Sequence, residues 1–100
     1  MAEIRKNEDQ RRYEGVVDGQ VAGFAEYRLV GDAVMLPHTE IKPEHEGQGL
    51  GGQVARFALD DVRKMGRLAI PMCPFIASYI RHPPAYVDLV HPQQRGVFHL

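Results

Sequence analysis

The sequence predicts an α+β domain: an antiparallel β-meander, a glycine turn, a central helix crossing over to a parallel strand, and a short second helix. Three observations carry that prediction. Asp18-Gly19 separates two apolar alternating runs, the mark of a two-residue hairpin, because both turn positions take positive φ. Glu46-Gly47-Gln48-Gly49-Leu50-Gly51-Gly52 leads directly into a long pattern of helical period. Beyond it Arg67-Leu68-Ala69-Ile70-Pro71 is a short apolar run, separated from the preceding strand by the length that a β-helix-β crossover needs.

In chain order, Ile4 to Lys6 is a short strand candidate, and Asn7-Glu8-Asp9-Gln10 reads as the turn after it. Arg12 to Val17 and Val21 to Val30 are the arms of the hairpin. Gly31-Asp32 reverses the chain again, and Ala33 to Ile41 returns as a further antiparallel strand. A period of two places Val34, Leu36, His38 and Glu40 on one face and Ala33, Met35, Thr39 and Ile41 on the other. Pro37 interrupts it. A proline donates nothing to a ladder, so here the strand must lie at an edge, bulge, or part from its neighbour.

The helix presents Leu50, Val54, Phe57, Ala58, Val62 and Met65 at three- and four-residue steps, with Arg56, Asp60, Asp61, Arg63 and Lys64 opposite. Gly66 is placed to end it in the left-handed conformation. Phe75 to Ile80 suggests the second helix, closed by His82-Pro83-Pro84. Asp88 to Leu100, which contains Pro92 and Gly96, reads as a short turn and a loose tail.

One hundred residues, 44% hydrophobic and 25% charged, make residues 1–100 one domain with its core between about residues 8 and 90. Twelve basic and 13 acidic residues give a charge of -1 and no general attraction for nucleic acid or an anionic membrane. No apolar run approaches the roughly 18 residues of a membrane span, and Met1 to Lys6 lacks the apolar stretch of a signal peptide. The lone cysteine, Cys73, cannot close an internal disulfide, which makes a cytoplasmic protein the expectation. His45, His82, His91 and His99 are scattered, so no metal site is expected. A short sheet with an open edge leaves a homodimer possible.

The glycine turn suits an anion: its amides and the helix dipole point at whatever lies above it. Gly47-x-Gly49-x-x-Gly52 spells a dinucleotide fingerprint, but that motif follows the opening strand of a parallel sheet and precedes an acidic residue about 20 positions on. Here antiparallel hairpins come first and the later position falls near Met72. A P-loop fails for want of Gly-Lys-Ser or Gly-Lys-Thr.

The element order, with Gln48-Gly49-Leu50-Gly51 at the helix start, resembles the GNAT superfamily of N-acetyltransferases. Gly23-Phe24-Ala25-Glu26-Tyr27, His38-Thr39-Glu40-Ile41, Gly47-Gln48-Gly49-Leu50-Gly51, Cys73-Pro74-Phe75-Ile76 and Tyr79 with His82-Pro83 resemble its minimal, single-domain branch in order and spacing, from Glu8 to Val90. The resemblance implies a three-layer-like α/β arrangement and an N-acetyltransferase that uses acetyl-CoA. In the family, a loop of pattern Arg/Gln-x-x-Gly-x-Gly/Ala binds the cofactor's pyrophosphate. It falls here on Glu46 to Gly51: both glycines match and Glu46 replaces the Arg/Gln, so its side chain is expected to turn outward while its N–H contributes. The implied cofactor residues are Glu46, Gly47, Gln48, Gly49, Leu50, Gly51 and Gly52 at the pyrophosphate, Thr39 and Ile41 at the pantetheine, with Pro74 and Phe75. The thioester is expected near His38, Glu40 and Cys73.

Acetyl transfer needs a neutral amine, and a lysine-like amine near pKa 10.4 requires a base at neutral pH. His38 and Glu40, two apart on one strand face, could take the proton directly or through water. Cys73, just past the parallel strand, could pair with His38 if the crossover sets them side by side, which would permit a covalent acetyl-enzyme step. Direct transfer ranks above it, because the family resemblance implies it. Tyr79 could protonate the departing thiolate, and Arg81 with His82 could receive the adenosine 3′-phosphate or an acidic partner. The acceptor is an unidentified amine, small molecule or protein. The competing readings are a non-catalytic CoA-binding or protein-interaction module, suggested by the small size, and Cys73-dependent acyl transfer or thioester hydrolysis.

Overall fold

The computed structural model describes residues 2–81, 84–90 and 92–96. Its strands are β1 (Glu3–Asn7), β2 (Arg12–Val17), β3 (Gln20–Glu26), β4 (Arg28–Val30), β5 (Ala33–Met35), β6 (Thr39–Ile41) and β7 (Leu68–Ile70), and its helices α1 (Leu50–Lys64), α2 (Pro74–Arg81) and α3 (Pro92–Arg95). Asp18 and Gly19 take φ of 52° and 78°, as the β2–β3 turn demands. Two sheets result: an antiparallel one in the order β1-β2-β3-β6, and a mixed one in the order β4-β5-β7, in which β5 and β7 run parallel. The meander, crossover and second helix are therefore present in the expected order.

The expected single strand from Ala33 to Ile41 is instead two strands in two sheets, and Pro37 is the reason. The Leu36 N–H donates to the Ile70 carbonyl at 3.0 Å, and the Leu36 carbonyl accepts from the Cys73 N–H at 2.9 Å. Two residues later the His38 carbonyl accepts from the Glu26 N–H at 2.8 Å. The chain thus belongs to the second sheet through Leu36 and to the first from His38, and the residue between them has no N–H to give either. The break also slips the side-chain phase. Val34 and Leu36 are buried, whereas beyond Pro37 it is Ile41 that packs toward the core and His38 and Glu40 that are exposed.

Helix α1 buries Leu50, Val54, Ala55, Ala58, Leu59 and Val62. Phe57 and Met65, expected on that face, are not fully buried; Phe57 lies edge-on to Tyr13, with ring centres 5.9 Å apart. The buried arc is rotated because α1 is covered on two sides, by β2 and β3 and by β7, α2 and the 3₁₀ turn Pro84–Leu89. Gly66 takes φ of 68° and ends the helix as expected. The stretch read as a turn and loose tail begins inside the core: Leu89 and Val90 are buried, and Val90 bridges Ala69 of β7. Polar bonds from α1 hold that segment, Tyr86 Oη donating to Asp60 at 2.7 Å and Arg63 to Asp88 at 3.1 Å. His82-Pro83, His91 and residues 97–100 lie outside the described residues.

Candidate active site

Pro43 opens a 3₁₀ turn, Pro43–His45, and that turn consumes the Glu46 N–H, which donates to the Pro43 carbonyl at 3.3 Å. The amide expected to help bind an anion is spent locally. After it Gly47 and Gly49 take φ of 79° and 81°, and Gly49 is the N-cap of α1. The bond from the Gln53 N–H to the Gly49 carbonyl, 3.1 Å long, opens the helical ladder, so the amides of Leu50, Gly51 and Gly52 lack intrahelical acceptors. A Cβ built on Gly47 or Gly49 meets nothing within 4 Å, so the space above the turn is open.

That space is a cleft of about 320 Å³, lined by Thr39, Ile41, His45, Glu46, Gly47, Gly49, Leu50, Gly51, Gly52 and Phe75. Every expected cofactor residue reaches it except Gln48 and Pro74. The Gln48 Oε1 stands 3.3 Å from the His45 Nδ1, and Gln48 lines a separate hollow with Ala2 and Val17, while Pro74 opens α2. His45 is the residue that sequence reasoning passed over. A polar turn residue gives no periodic signal, and only the fold of the 3₁₀ turn brings it to the cleft.

Two walls have specific chemistry. Because the His38 carbonyl and the Lys42 N–H face β3, at 2.8 Å each to Glu26 and Ala22, the alternation of an antiparallel ladder turns the N–H and C=O groups of Thr39 and Ile41 to the open side. That side is the edge of the first sheet. Beside it the Thr39 Oγ1 is buried without a hydrogen-bond partner among the described residues, a cost of about 1–3 kcal/mol when nothing satisfies it. On the opposite wall the Phe75 ring lies against Gly51, where a Cβ would come within 2.7 Å of its Cζ. The ring is 42% exposed. Unpaired amides, an open strand edge and an exposed aromatic fit a long ligand with an anionic group, amides and an apolar stem, which is the chemistry of coenzyme A.

The His38 Nε2 is 3.5 Å from the Glu40 Oε1, so the structure brings these two together, both exposed, on the outer face of β6. The His38 ring meets the edge of Phe24 at 6.1 Å, and the Arg12 guanidinium stacks on Phe24 at 4.6 Å. Arg12 is itself fixed by Glu14, which is fully buried and accepts from Arg12 at 2.5 Å, Arg5 at 2.9 Å and Asn7 at 3.1 Å. Burial pushes the Glu14 carboxyl up, but the hydrogen bonds from Arg12, Arg5 and Asn7 outweigh it and hold it below the ordinary range.

Cys73 is 5% exposed and belongs to the core cluster, and among the described residues no hydrogen bond joins it to His38. What meets the splayed strand is its backbone, through Leu36. Tyr79 is half-buried, packs on Tyr86 with ring centres 6.3 Å apart, and stands 3.7 Å from where a Gly52 Cβ would be. Arg81 ends α2, while His82 lies outside the described residues. Among the described residues no three His, Cys, Asp or Glu side chains gather as a metal site, and no helix is long and apolar enough to cross a membrane.

The model of a family described as GCN5-related N-acetyl-transferase matches residues 12–89. Among solved structures, the ribosomal-protein-S18-alanine N-acetyltransferase from Escherichia coli is 26% identical with a TM-score of 0.55, over 59% of this chain and 39% of that one. A protein from Staphylococcus aureus described as GCN5-like is 20% identical with a TM-score of 0.69, over 89% of this chain and 87% of that one; at this identity the likeness is one of fold. No curated protein sequence matches the chain.

Proposed function

The chain belongs to the GCN5-related N-acetyltransferase family, and from that premise we propose that it transfers acetyl from acetyl-CoA to an amine, directly and with base assistance. One observation carries the reading: the unpaired amides of the glycine turn and the open backbone of Thr39 and Ile41 all face one cleft. Acetyl-CoA supplies an activated thioester carbonyl. The turn's amides and the positive end of the α1 dipole receive the pyrophosphate, offsetting the Glu46 carboxylate at the rim. Thr39 and Ile41 offer N–H and C=O groups to the pantetheine amides, and Ile41, Leu50 and Phe75 keep water from its stem.

The chemistry is a proton ledger. An ammonium acceptor sheds two protons as the C–N bond forms and the C–S bond breaks: the His38–Glu40 pair takes one and passes it to water, and the leaving sulfur takes the other. The burial of Cys73 and its lack of a bond to His38 support direct transfer over a thiol ester on the enzyme.

Calorimetric titration with acetyl-CoA tests the reading, and no heat at millimolar concentration would sink it. His38→Ala and Glu40→Gln are expected to lower kcat by roughly 10²-fold or more with the acetyl-CoA Kd unchanged, as for a lost general base. Cys73→Ala is expected to keep kcat within about threefold, since a core cysteine acts as a small hydrophobe. Loss of turnover in Cys73→Ala with acetyl-CoA binding intact would instead establish the covalent route.

A further inference from the structure

We infer that the acceptor is a compact aminocarboxylate, bound on the outer face of the first sheet with its amine at Glu40 and its carboxylate at Lys42. The proposal rests on the acetyl-transfer reading for its chemistry but not for binding. That face is opposite α1: Tyr13 and Gly15 of β2 point at the helix, so Arg12 and Glu14, their alternates, point away. A cleft of about 280 Å³ lies there, lined by Arg12, Val21, Gly23, Phe24, Glu40 and Lys42 among others. It falls just below the roughly 300–1,000 Å³ of drug-sized sites, which calls for a compact ligand.

Three chemistries are laid out along it. Glu40 lines it, with its carboxylate 3.5 Å from the His38 imidazole, and attracts an ammonium beside the group that deprotonates it. Phe24 and Val21 give it an apolar lining, and the Arg12 guanidinium stacks on the Phe24 ring at 4.6 Å. Lys42 follows two residues on from Glu40 along the same strand direction, and it makes no ion pair with any described residue. Arg12 is committed to Glu14, so Lys42 supplies the charge that an anion would meet. Same-face residues two apart lie roughly 6–7 Å from one another, which sets the separation between amine and carboxylate in the ligand.

The arrangement also states what is disfavoured. A polyamine would bring a second cation to Lys42, and a lysine side chain or peptide terminus would bring no anion there. Glu40 and Lys42 line this cleft while Thr39 and Ile41 line the cofactor cleft, so the two clefts flank the same short edge strand. Acetylation turns the ammonium into a neutral amide, with the two protons distributed as above, and so removes the attraction to Glu40 that held the substrate.

Binding is tested on the full chain without acetyl-CoA, by amide chemical shifts during titration with 5-aminopentanoate, pentylamine, pentane-1,5-diamine, spermidine and a short amidated peptide with a free N-terminus. Expected are shifts at Val21, Gly23, Phe24, Glu40 and Lys42, and an affinity for 5-aminopentanoate at least tenfold above that for pentylamine. Lys42→Glu, whose folding the same spectrum checks, is expected to erase that tenfold preference and to favour pentane-1,5-diamine. The inference is overturned if 5-aminopentanoate leaves these amides unmoved, if Lys42→Glu keeps the preference, or if spermidine or the peptide binds more tightly. Failure of the acetyl-transfer reading shows separately, as absence of heat with acetyl-CoA.

Discussion

Gly49→Val is expected to weaken acetyl-CoA binding at least 100-fold, a loss of about 2.7 kcal/mol at tenfold per 1.4 kcal/mol, while lowering Tm far less than a loss of folding would. Gly49 caps α1 at φ of 81°. A β-branched residue held there costs about 1–3 kcal/mol, or very roughly 4–24 °C in a domain of this size at about 4–8 °C per kcal/mol. A Cβ at this position touches nothing of the protein within 4 Å, so the new side chain projects into the open space above the turn, where the pyrophosphate is placed by the proposal. Gly31→Val is the matched control. Gly31 has φ of 59°, its Cβ also meets nothing within 4 Å, and it sits in the β4–β5 turn away from the cleft. Both variants should lose comparable stability, and only Gly49→Val should lose affinity. Calorimetry and thermal melts on the two decide it: affinity within tenfold of wild type in Gly49→Val would mean that the glycine turn is not the phosphate cradle.

Much of the fold was legible because its signals are local. Asp18-Gly19 dictates a hairpin through backbone conformation alone, and the spacing from Leu50 to Val62 dictates a helix through side-chain period. Pro37 was legible as the place where the strand parts from a neighbour or lies at an edge, but not as a change of sheet. A period-of-two reading assumes one continuous register, and once the chain changes partner sheets at Pro37 the phase is set afresh by β3 rather than inherited from β5. Burial of Leu89 and Val90 depends on β7 and on Asp60 and Arg63 of α1, partners far away in sequence, so a stretch with Pro92 and Gly96 nearby reads as tail.

The same division runs through the site. The glycine turn could be read because glycines at positive φ shape the backbone whatever surrounds them, and its passage into α1 fixed where its amides point. The fate of the Glu46 N–H could have been anticipated from Pro43, which favours the first position of a helical turn and so invites a bond from three residues on. His45 and the outer-face cleft were not legible. They depend on which side chains the strand register brings together: Glu14 pairs across β1 with Arg5 and across β3 with Phe24, and only that places Arg12 on Phe24 and Phe24 beside His38.

Glu14 is the second position where one substitution should have a large effect. Glu14→Gln is expected to cost about 2 kcal/mol, or very roughly 8–16 °C in Tm. A buried carboxylate accepting three bonds would suggest more, since bonds to charged groups are worth about 1.5–3 kcal/mol each. The Arg5 and Arg12 side chains are 51% and 27% exposed, however, so water screens them and takes over when the charge is removed. Because the folded state holds this carboxyl below its ordinary range, its contribution is complete above the unfolded pKa near 4.3 and is lost as pH falls through the folded value. The stability gap between wild type and Glu14→Gln, measured by urea unfolding, should therefore be constant from pH 7 to about pH 5.5 and narrow toward pH 3. A gap that persists undiminished at pH 3 would show that Glu14 acts by packing instead. The substitution also removes the negative charge that offsets Arg12 at the edge of the outer cleft, so the same variant should bind 5-aminopentanoate more tightly while being less stable. A purely structural role for Glu14 predicts both quantities falling together.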